Sequence, residues 1–510
     1  MLTLLYVPLD ERPCNLTYPL NALAVNSQLT YITLPKSVLG YKKKAADVNM
    51  IWKFVIEHIN SADAAVLSSE MLLYGGLLPS RIHQFSSDQL VTYEKNLREL
   101  KKQNPEKKLY MSNLIMRTPR YNGGDEEPDY YEEYGEKIFR YGWLKDKRKR
   151  EELTKLENQE LANISQTVPT SYISNYEARR EFNITVNLLN IRLVEEGVID
   201  FLAVPQDDSA LYGYTAIDQR KVYETIYDKN LKDRIMVYPG ADEVGFTLLA
   251  RAFNEYKNRK PKVFVQFSST LGPNIVPLYE DRIIKESLKA HVVAAGMQLT
   301  NDEMKADYHL TYNTPGKIMQ ESWDQFENRD ITYDSYRHLL TFVESIKAAV
   351  KRGAVIGVCD SAYANGGDLE LIRMLDKQQL LEKISVYKGW NTNCNSLGST
   401  LASMTFIDSH SNITDIYNNL LSNIFEDVFY QTIVRNNLTK NLLPKLNCDY
   451  FHLYSYTDQV LEEVYKQFLE LNDKYLAHTL IGQSVEFQEL SFPWNRMFEI
   501  NCQLKLTKGE

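Results

Sequence analysis

The sequence predicts an α/β fold: a (β/α)8 barrel-like core with an additional βα insertion and a C-terminal helical region. Three observations carry this expectation. Short apolar, β-rich runs alternate with longer amphipathic stretches over most of the 510 residues, the pattern of successive βα units. Ten such runs can be counted, two more than an eight-stranded barrel uses. Polar clusters follow directly on many of the runs, on the side where βα proteins bind their ligands.

In order, the first strand spans 3–7 and leads into Pro8-Leu9-Asp10-Glu11-Arg12-Pro13-Cys14-Asn15. The second spans 29–34. The third, 64–68, is followed by Ser69-Glu70-Met71-Leu72-Leu73-Tyr74-Gly75-Gly76 and then Ser80-Arg81. The fourth, 108–113, precedes a segment from Arg117 to Asp125 that contains Arg120. The fifth, 200–204, runs into Pro205-Gln206-Asp207-Asp208-Ser209, and the sixth, 234–238, into Pro239-Gly240-Ala241-Asp242-Glu243. The remaining strands are 262–267, 308–312, 354–359 and 384–388. The last two lead into Asp360-Ser361-Ala362-Tyr363 and Gly389-Trp390-Asn391-Thr392-Asn393-Cys394-Asn395. Helical periodicity fills the intervals at 50–59, 88–103, 175–196, 216–228, 245–257 and 335–351, then at 413–434 and 458–474.

Residues 1–404 therefore read as a barrel-like catalytic domain, in which 262–330 is a candidate inserted or packed βα unit. Residues 405–510 read as a mainly helical C-terminal region. The same ten strands also fit two doubly wound sheets with a site between them.

The net charge of -9 argues against a nucleic-acid binder, which would show a concentrated basic face. The basic run 145–150 lies in a charge-mixed helical segment and reads as a solvated face. No apolar run reaches membrane-spanning length. The opening residues lack a basic leader and a cleavage site, so the expected location is cytoplasmic. Five cysteines without a CxxC spacing fit a reducing compartment. The expected partner is a small carbohydrate substrate, with neither nucleic acid nor membrane, and a homo-oligomer is left open.

The polar clusters supply the candidate site. Asp207 and Asp208 are adjacent carboxylates where a buried strand meets a loop, an expensive arrangement that raises the pKa of at least one of them. They are the expected catalytic pair. Capping of the following helix is the alternative use for them. Asp10, Arg12, Glu70, Tyr74, Arg81, Tyr212, Asp242, Glu243, Asp360, Trp390, Asn391 and Asn395 form the expected substrate-binding set. Carboxylates and amides bind hydroxyl pairs, while Tyr74, Tyr212, Tyr363 and Trp390 can stack on a sugar's apolar face.

Neither phosphate-binding glycine motif occurs, although Arg12, Arg81, Arg117 and Arg120 can hold an anionic group. The eight histidines show no HExxH or HxH spacing, and neither a metal nor another cofactor is expected. Two alternatives stay open: an all-carboxylate Mg²⁺ or Ca²⁺ site from Asp10, Asp207, Asp208 and Asp360, and a nucleophile among Cys14, Cys359 and Cys394.

With the Pro8–Pro13 motif, Tyr74-Gly75-Gly76 with Ser80-Arg81, the Asp207-Asp208 loop and Gly389-Trp390-Asn391-Thr392, the chain resembles, over nearly its whole length, an uncharacterised bacterial family catalogued only as a domain of unknown function. Pro205-Gln206-Asp207-Asp208 is also similar to the catalytic loop of β-N-acetylhexosaminidases of the O-GlcNAcase group, which are (β/α)8 barrels. That resemblance implies that Asp207 orients the 2-acetamido group, which acts as nucleophile, and that Asp208 is the general acid. Asn391, Asn395 and Asp360 would then suit binding of hydroxyls or the acetamido group. The pair departs from that pattern in following the fifth candidate strand.

The expected function is thus glycoside hydrolysis, with N-acetylhexosaminides as the candidate substrates. A two-carboxylate glycosidase pairing Asp208 with Asp242 or Glu243 is a variant of it. The alternatives are a metal- or arginine-assisted hydrolase or lyase of a small anionic metabolite, and a non-catalytic carbohydrate-binding protein.

Overall fold

The computed structural model describes residues 1–508. All ten expected strands are present, their ends displaced by one or two residues at most, which is the ordinary scatter of element boundaries. In chain order the strands are β1 (Leu2–Val7), β2 (Leu29–Thr33), β3 (Ala64–Ser68), β4 (Lys108–Ser112), β5 (Phe201–Gln206), β6 (Ile235–Pro239), β7 (Lys262–Phe267), β8 (Gln298–Leu299), β9 (Tyr308–Asn313), β10 (Gln320–Glu321), β11 (Val355–Asp360), β12 (Tyr363–Ala364), β13 (Val386–Lys388), β14 (Gln483–Ser491) and β15 (Asn501–Lys508).

The chain forms two compact units. The first comprises Met1–Glu11, Thr30–Ala252 and Tyr279–Asp281; the second comprises Arg12–Leu29, Phe253–Leu278 and the described residues from Arg282 onward. The first unit holds a six-stranded sheet in the order β2-β1-β3-β4-β5-β6, with parallel pairing from β1 through β6. The second holds a parallel five-stranded sheet in the order β13-β11-β9-β7-β8.

Numbered from its own first strand, the second sheet runs 2-1-3-4-5, the same order as the first five strands of the first sheet. That is a doubly wound order, in which the switch point lies between strands 1 and 3. The expected α/β class, parallel strands and helical C-terminal region are all present. The named strands of the described residues pair in these two sheets and in the two-stranded pairs β10–β12 and β14–β15, and an eight-stranded ring is not among them. Residues 262–330 supply β7, β8, β9 and β10, and β7 stands at the switch of the second sheet.

Burial explains why the central strands read as continuous apolar runs. Every residue of β3, β5 and β9 is buried, as expected for a parallel sheet covered on both faces. Pro205 lacks an N–H, and it falls where β4 has already stopped pairing with β5. Its carbonyl still accepts Ile115 N at 2.8 Å while β5 goes on pairing with β6, so the missing donor falls beyond the β4–β5 ladder.

The C-terminal region continues from helix Ile413–Asn423 into a π-helical stretch, Ile424–Val434, and then helix Arg435–Asn441. Helix Thr457–Tyr475 follows. Phe425, Phe429, Val464 and Phe468 share one core with Ile500 and Leu504. An antiparallel pair of β14 and β15 ends this region. β14 has only half-exposed and exposed positions, so it does not stand out in sequence as a buried apolar run.

Candidate active site

The first unit gathers several of the predicted residues around one small cavity. Ser68 ends β3 and caps the short helix Ser69–Tyr74, its Oγ accepting the Met71 N–H at 3.3 Å. Gly75 then turns the chain in the left-handed region (φ 79°), and a Cβ there would meet Ala46 O at 2.6 Å. Only glycine satisfies both demands. The turn leads into helix Leu77–Ile82, which carries Ser80 and Arg81. Glu70, Tyr74, Ser80, Arg81, Asn183 and Asp207 face a cavity of about 10 Å³, the space of a single water.

Glu70 is buried, and its Oε1 accepts from Leu114 N at 2.8 Å and Asn113 Nδ2 at 2.9 Å. Burial pushes its pKa up, and these hydrogen bonds hold the rise back. The Tyr74 hydroxyl donates to Asn183 Oδ1 at 2.7 Å. His83 shares that acceptor through Nε2 at 2.9 Å, while its Nδ1 accepts from Phe85 N at 3.1 Å. One ring nitrogen donates and the other accepts, so the imidazole is neutral. Burial keeps it so, lowering its pKa to about 4.

Two guanidinium groups serve four carboxylates beside this cavity. Arg81 donates through Nη2 to Asp207 Oδ2 at 2.6 Å and through Nη1 to Glu126 Oε2 at 2.9 Å. Arg117 donates to Glu126 Oε2 at 2.6 Å and Glu127 Oε1 at 2.8 Å, and its Nη1 stands 3.6 Å from Asp208 Oδ2.

The adjacent aspartates are thereby made unlike. Asp207 is held by Arg81 and its side chain is 10% exposed, whereas that of Asp208 is 27% exposed. Asp208 also has a left-handed backbone, φ 44°, a conformation in which Asp and Asn are enriched among non-glycine residues. Burial and then the charge of Asp207 push the Asp208 pKa up to about 6, against the pull of Arg117 and Arg81. Capping does not explain the pair: helix Tyr214–Asp228 begins after Gly213 and has no side-chain cap. Among the described residues, the buried atoms Ser209 Oγ, Arg81 Nε and Glu127 Oε2 have no hydrogen-bond partner. These are polar positions able to receive a ligand.

Other predicted residues of this unit take different places. Asp10 and Asp242 are buried directly after β1 and β6. Glu243 is buried and accepts from Ala241 N at 3.0 Å, closing its own turn. Tyr212 packs edge-on against Trp143 with ring centroids 4.9 Å apart, and its hydroxyl donates to Glu151.

The second unit holds the rest. Asp360 ends β11 and is fully buried, accepting from Tyr387 Oη at 2.6 Å, Asp368 N at 2.7 Å and Asn313 Nδ2 at 2.9 Å. Burial, with the charge of Asp368 next, pushes its pKa up to about 6. Asp368 itself is paired with Arg337. Tyr363 is buried and stacked on Tyr333 at 4.3 Å, a core role rather than a sugar platform. Arg12 lies over the Trp494 ring at 4.7 Å, with Glu499 Oε1 at 3.9 Å. Trp390 is half-buried, edge-on to Phe498 at 6.2 Å. Asn391 has a left-handed backbone (φ 65°), and its carbonyl accepts Asn365 N at 2.8 Å. Asn395 Oδ1 is buried without a partner among the described residues.

Sequence reasoning missed Glu126 and Glu127, which fix both arginines, and a ladder of asparagines on helix Thr170–Glu195. Asn187 Nδ2 donates to Asn113 Oδ1 at 2.8 Å, and Asn190 Nδ2 donates to the same oxygen at 3.0 Å. Asn183 Nδ2 reaches Ser80 O at 3.0 Å. The signal was present as Asn183, Asn187 and Asn190 at i, i+4 and i+7, one face of a helix.

No helix of the described residues is long and apolar enough to cross a membrane. Comparison with the curated proteins and with the solved structures finds no match. The family described as protein of unknown function (DUF4127) matches residues 4–503. The chain is therefore a member of that family.

Proposed function

We propose that the chain is a glycoside hydrolase acting on N-acetylhexosaminides, with Asp208 as general acid and Asp207 as its charged partner. The observation that carries this reading is the inequality of the pair. Asp207 is clamped by Arg81 at 2.6 Å, an ion pair that suits a carboxylate orienting and polarising a 2-acetamido group. Asp208 is more exposed and holds its proton up to about pH 6, which suits donation to a leaving oxygen. A raised carboxyl beside an arginine-paired carboxylate is an arrangement that divides acid from partner.

The arginines favour a neutral substrate over an anionic one, since Glu126 and Glu127 already engage both Arg81 and Arg117. A barrel-like closure of the core belongs to the same reading by resemblance, but the chemistry requires only the C-terminal ends of β3, β4 and β5. The proposed setting is cytoplasmic, with a small carbohydrate substrate.

Hydrolysis of an aryl N-acetylhexosaminide without added metal, lost in Asp208→Asn, is the expected result. Activity lost on chelation points instead to the metal-assisted reading. Sugar binding without turnover, unchanged in Asp208→Asn, overturns catalysis altogether.

A further inference from the structure

The second unit contains a cavity of about 40 Å³ that the proposed chemistry does not use. Its polar lining includes Tyr18, Lys388, Ser403, Asn423 and Cys502, and its apolar wall is formed by Val25, Ile407, Ile416 and Leu420. Lys388 is the last residue of β13, at the carboxyl end of a parallel strand, where doubly wound sheets place ligands. Its side chain is buried, with Nζ donating to Asn423 Oδ1 at 3.0 Å and lying 5.7 Å from the centroid of the Tyr18 ring. Ser403 is 7% exposed, and its Oγ has no hydrogen-bond partner among the described residues.

We propose that this cavity binds a small carbonyl compound with a short apolar tail and holds it as an imine of Lys388.

The size admits only a few heavy atoms, the aliphatic wall suits a short alkyl chain, and Ser403 Oγ offers a donor to the carbonyl oxygen. The charges acting on Lys388 are those of Glu426 and Asp427 on the π-helical stretch. Tyr18 on helix Thr17–Ala24 and Cys502 on β15 line the same cavity. Burial lowers the Lys388 pKa despite the pull of Asp427 and Glu426, which favours the neutral amine that attacks carbonyls. Burial also raises both acids, Asp427 to about 7, so a proton donor accompanies the amine.

In the step itself the Lys388 nitrogen lone pair forms a bond to the carbonyl carbon while the C=O π pair moves to oxygen. That oxygen takes a proton from an acid such as Asp427, and the nitrogen returns one. A second proton converts the hydroxyl into departing water as the nitrogen lone pair forms C=N, and loss of the remaining N–H proton restores the acid. One carbonyl and one amine give one imine and one water, with no oxidant or reductant.

The test is reductive trapping on the full-length folded protein, using butanal and cyanoborohydride at pH 6.5 with peptide mass spectrometry. Lys388 is expected to gain a butyl group at least about tenfold faster than the exposed Lys53 and Lys95. Filling the cavity with Ile416→Trp is expected to slow Lys388 labelling about tenfold while leaving Lys53 and Lys95 unchanged. Labelling of Lys388 no faster than Lys53 in the folded protein overturns the proposal. Equal labelling of Lys388 in folded Ile416→Trp overturns it too, since the cavity is then not the route. Neither result bears on the Asp207–Asp208 reading, whose readout is glycoside hydrolysis.

Discussion

Asp208 carries a proton at a pH where an ordinary aspartate has lost it, because burial and the neighbouring Asp207 charge both oppose ionisation. A general acid works only while protonated, so kcat/KM is expected to be high below pH 6 and to fall as the pH rises through it. Asp207→Asn removes the repelling charge and should move this alkaline limb to lower pH. Arg117→Gln removes an attracting one and should move it higher. Asp208→Asn should cost at least about 100-fold in turnover, and a pH–rate profile of each variant is the check. The arginine clamp sets a second expectation. Arg81 is buried between Asp207, Glu126 and Glu127, so Arg81→Met strands buried carboxylates and should cost about 3–5 kcal/mol of stability in urea unfolding.

At the scale of elements, helix Thr170–Glu195 spends one face on amides rather than on apolar side chains. Asn187 satisfies Asn113 Oδ1, and Asn113 in turn holds Glu70. Asn187→Ala removes one of the two donors to that oxygen and leaves Asn190 in place, and it is expected to cost about 0.5–1.5 kcal/mol, read as a lower urea midpoint at unchanged slope. This helix also shows where sequence reading stops. Its position followed from its length and periodicity, but a buried polar face gives no hydrophobic signal, so the amide ladder stayed hidden.

The strands were readable because fully buried parallel strands are apolar runs, and the strand-end clusters because such polar residues are costly beside a core. Glu70, Tyr74, Arg81 and Asp207 were found that way and do meet at one cavity. Glu126 and Glu127 were not, because they reach the site from a loop whose path depends on contacts distant in sequence. The pairing order was equally hidden. Ten strands count the same whether they close into a ring or divide between sheets, and register is decided by tertiary contact.

At the scale of the whole molecule, the buried acids act together on stability. Asp208 and Asp360 titrate near 6 and Asp427 near 7 in the folded chain, against about 4 for an unfolded aspartate. The folded state holds these protons more tightly. Their contribution is therefore fully present below about pH 4 and is lost as the pH rises through 6 and 7. The urea midpoint should fall between pH 5 and 7.5, and a midpoint that rises over that window would contradict the burial described for these groups.

The repeated 2-1-3-4-5 order gives the two halves of the chain a common coordinate system. In it, Asp207 follows the fifth strand of one sheet, and Lys388 closes the fifth strand of the other. One topological address thus holds a carboxylate in the first half and an amine in the second, so the chain reads as a single scaffold written twice and given a different functional group at the same place.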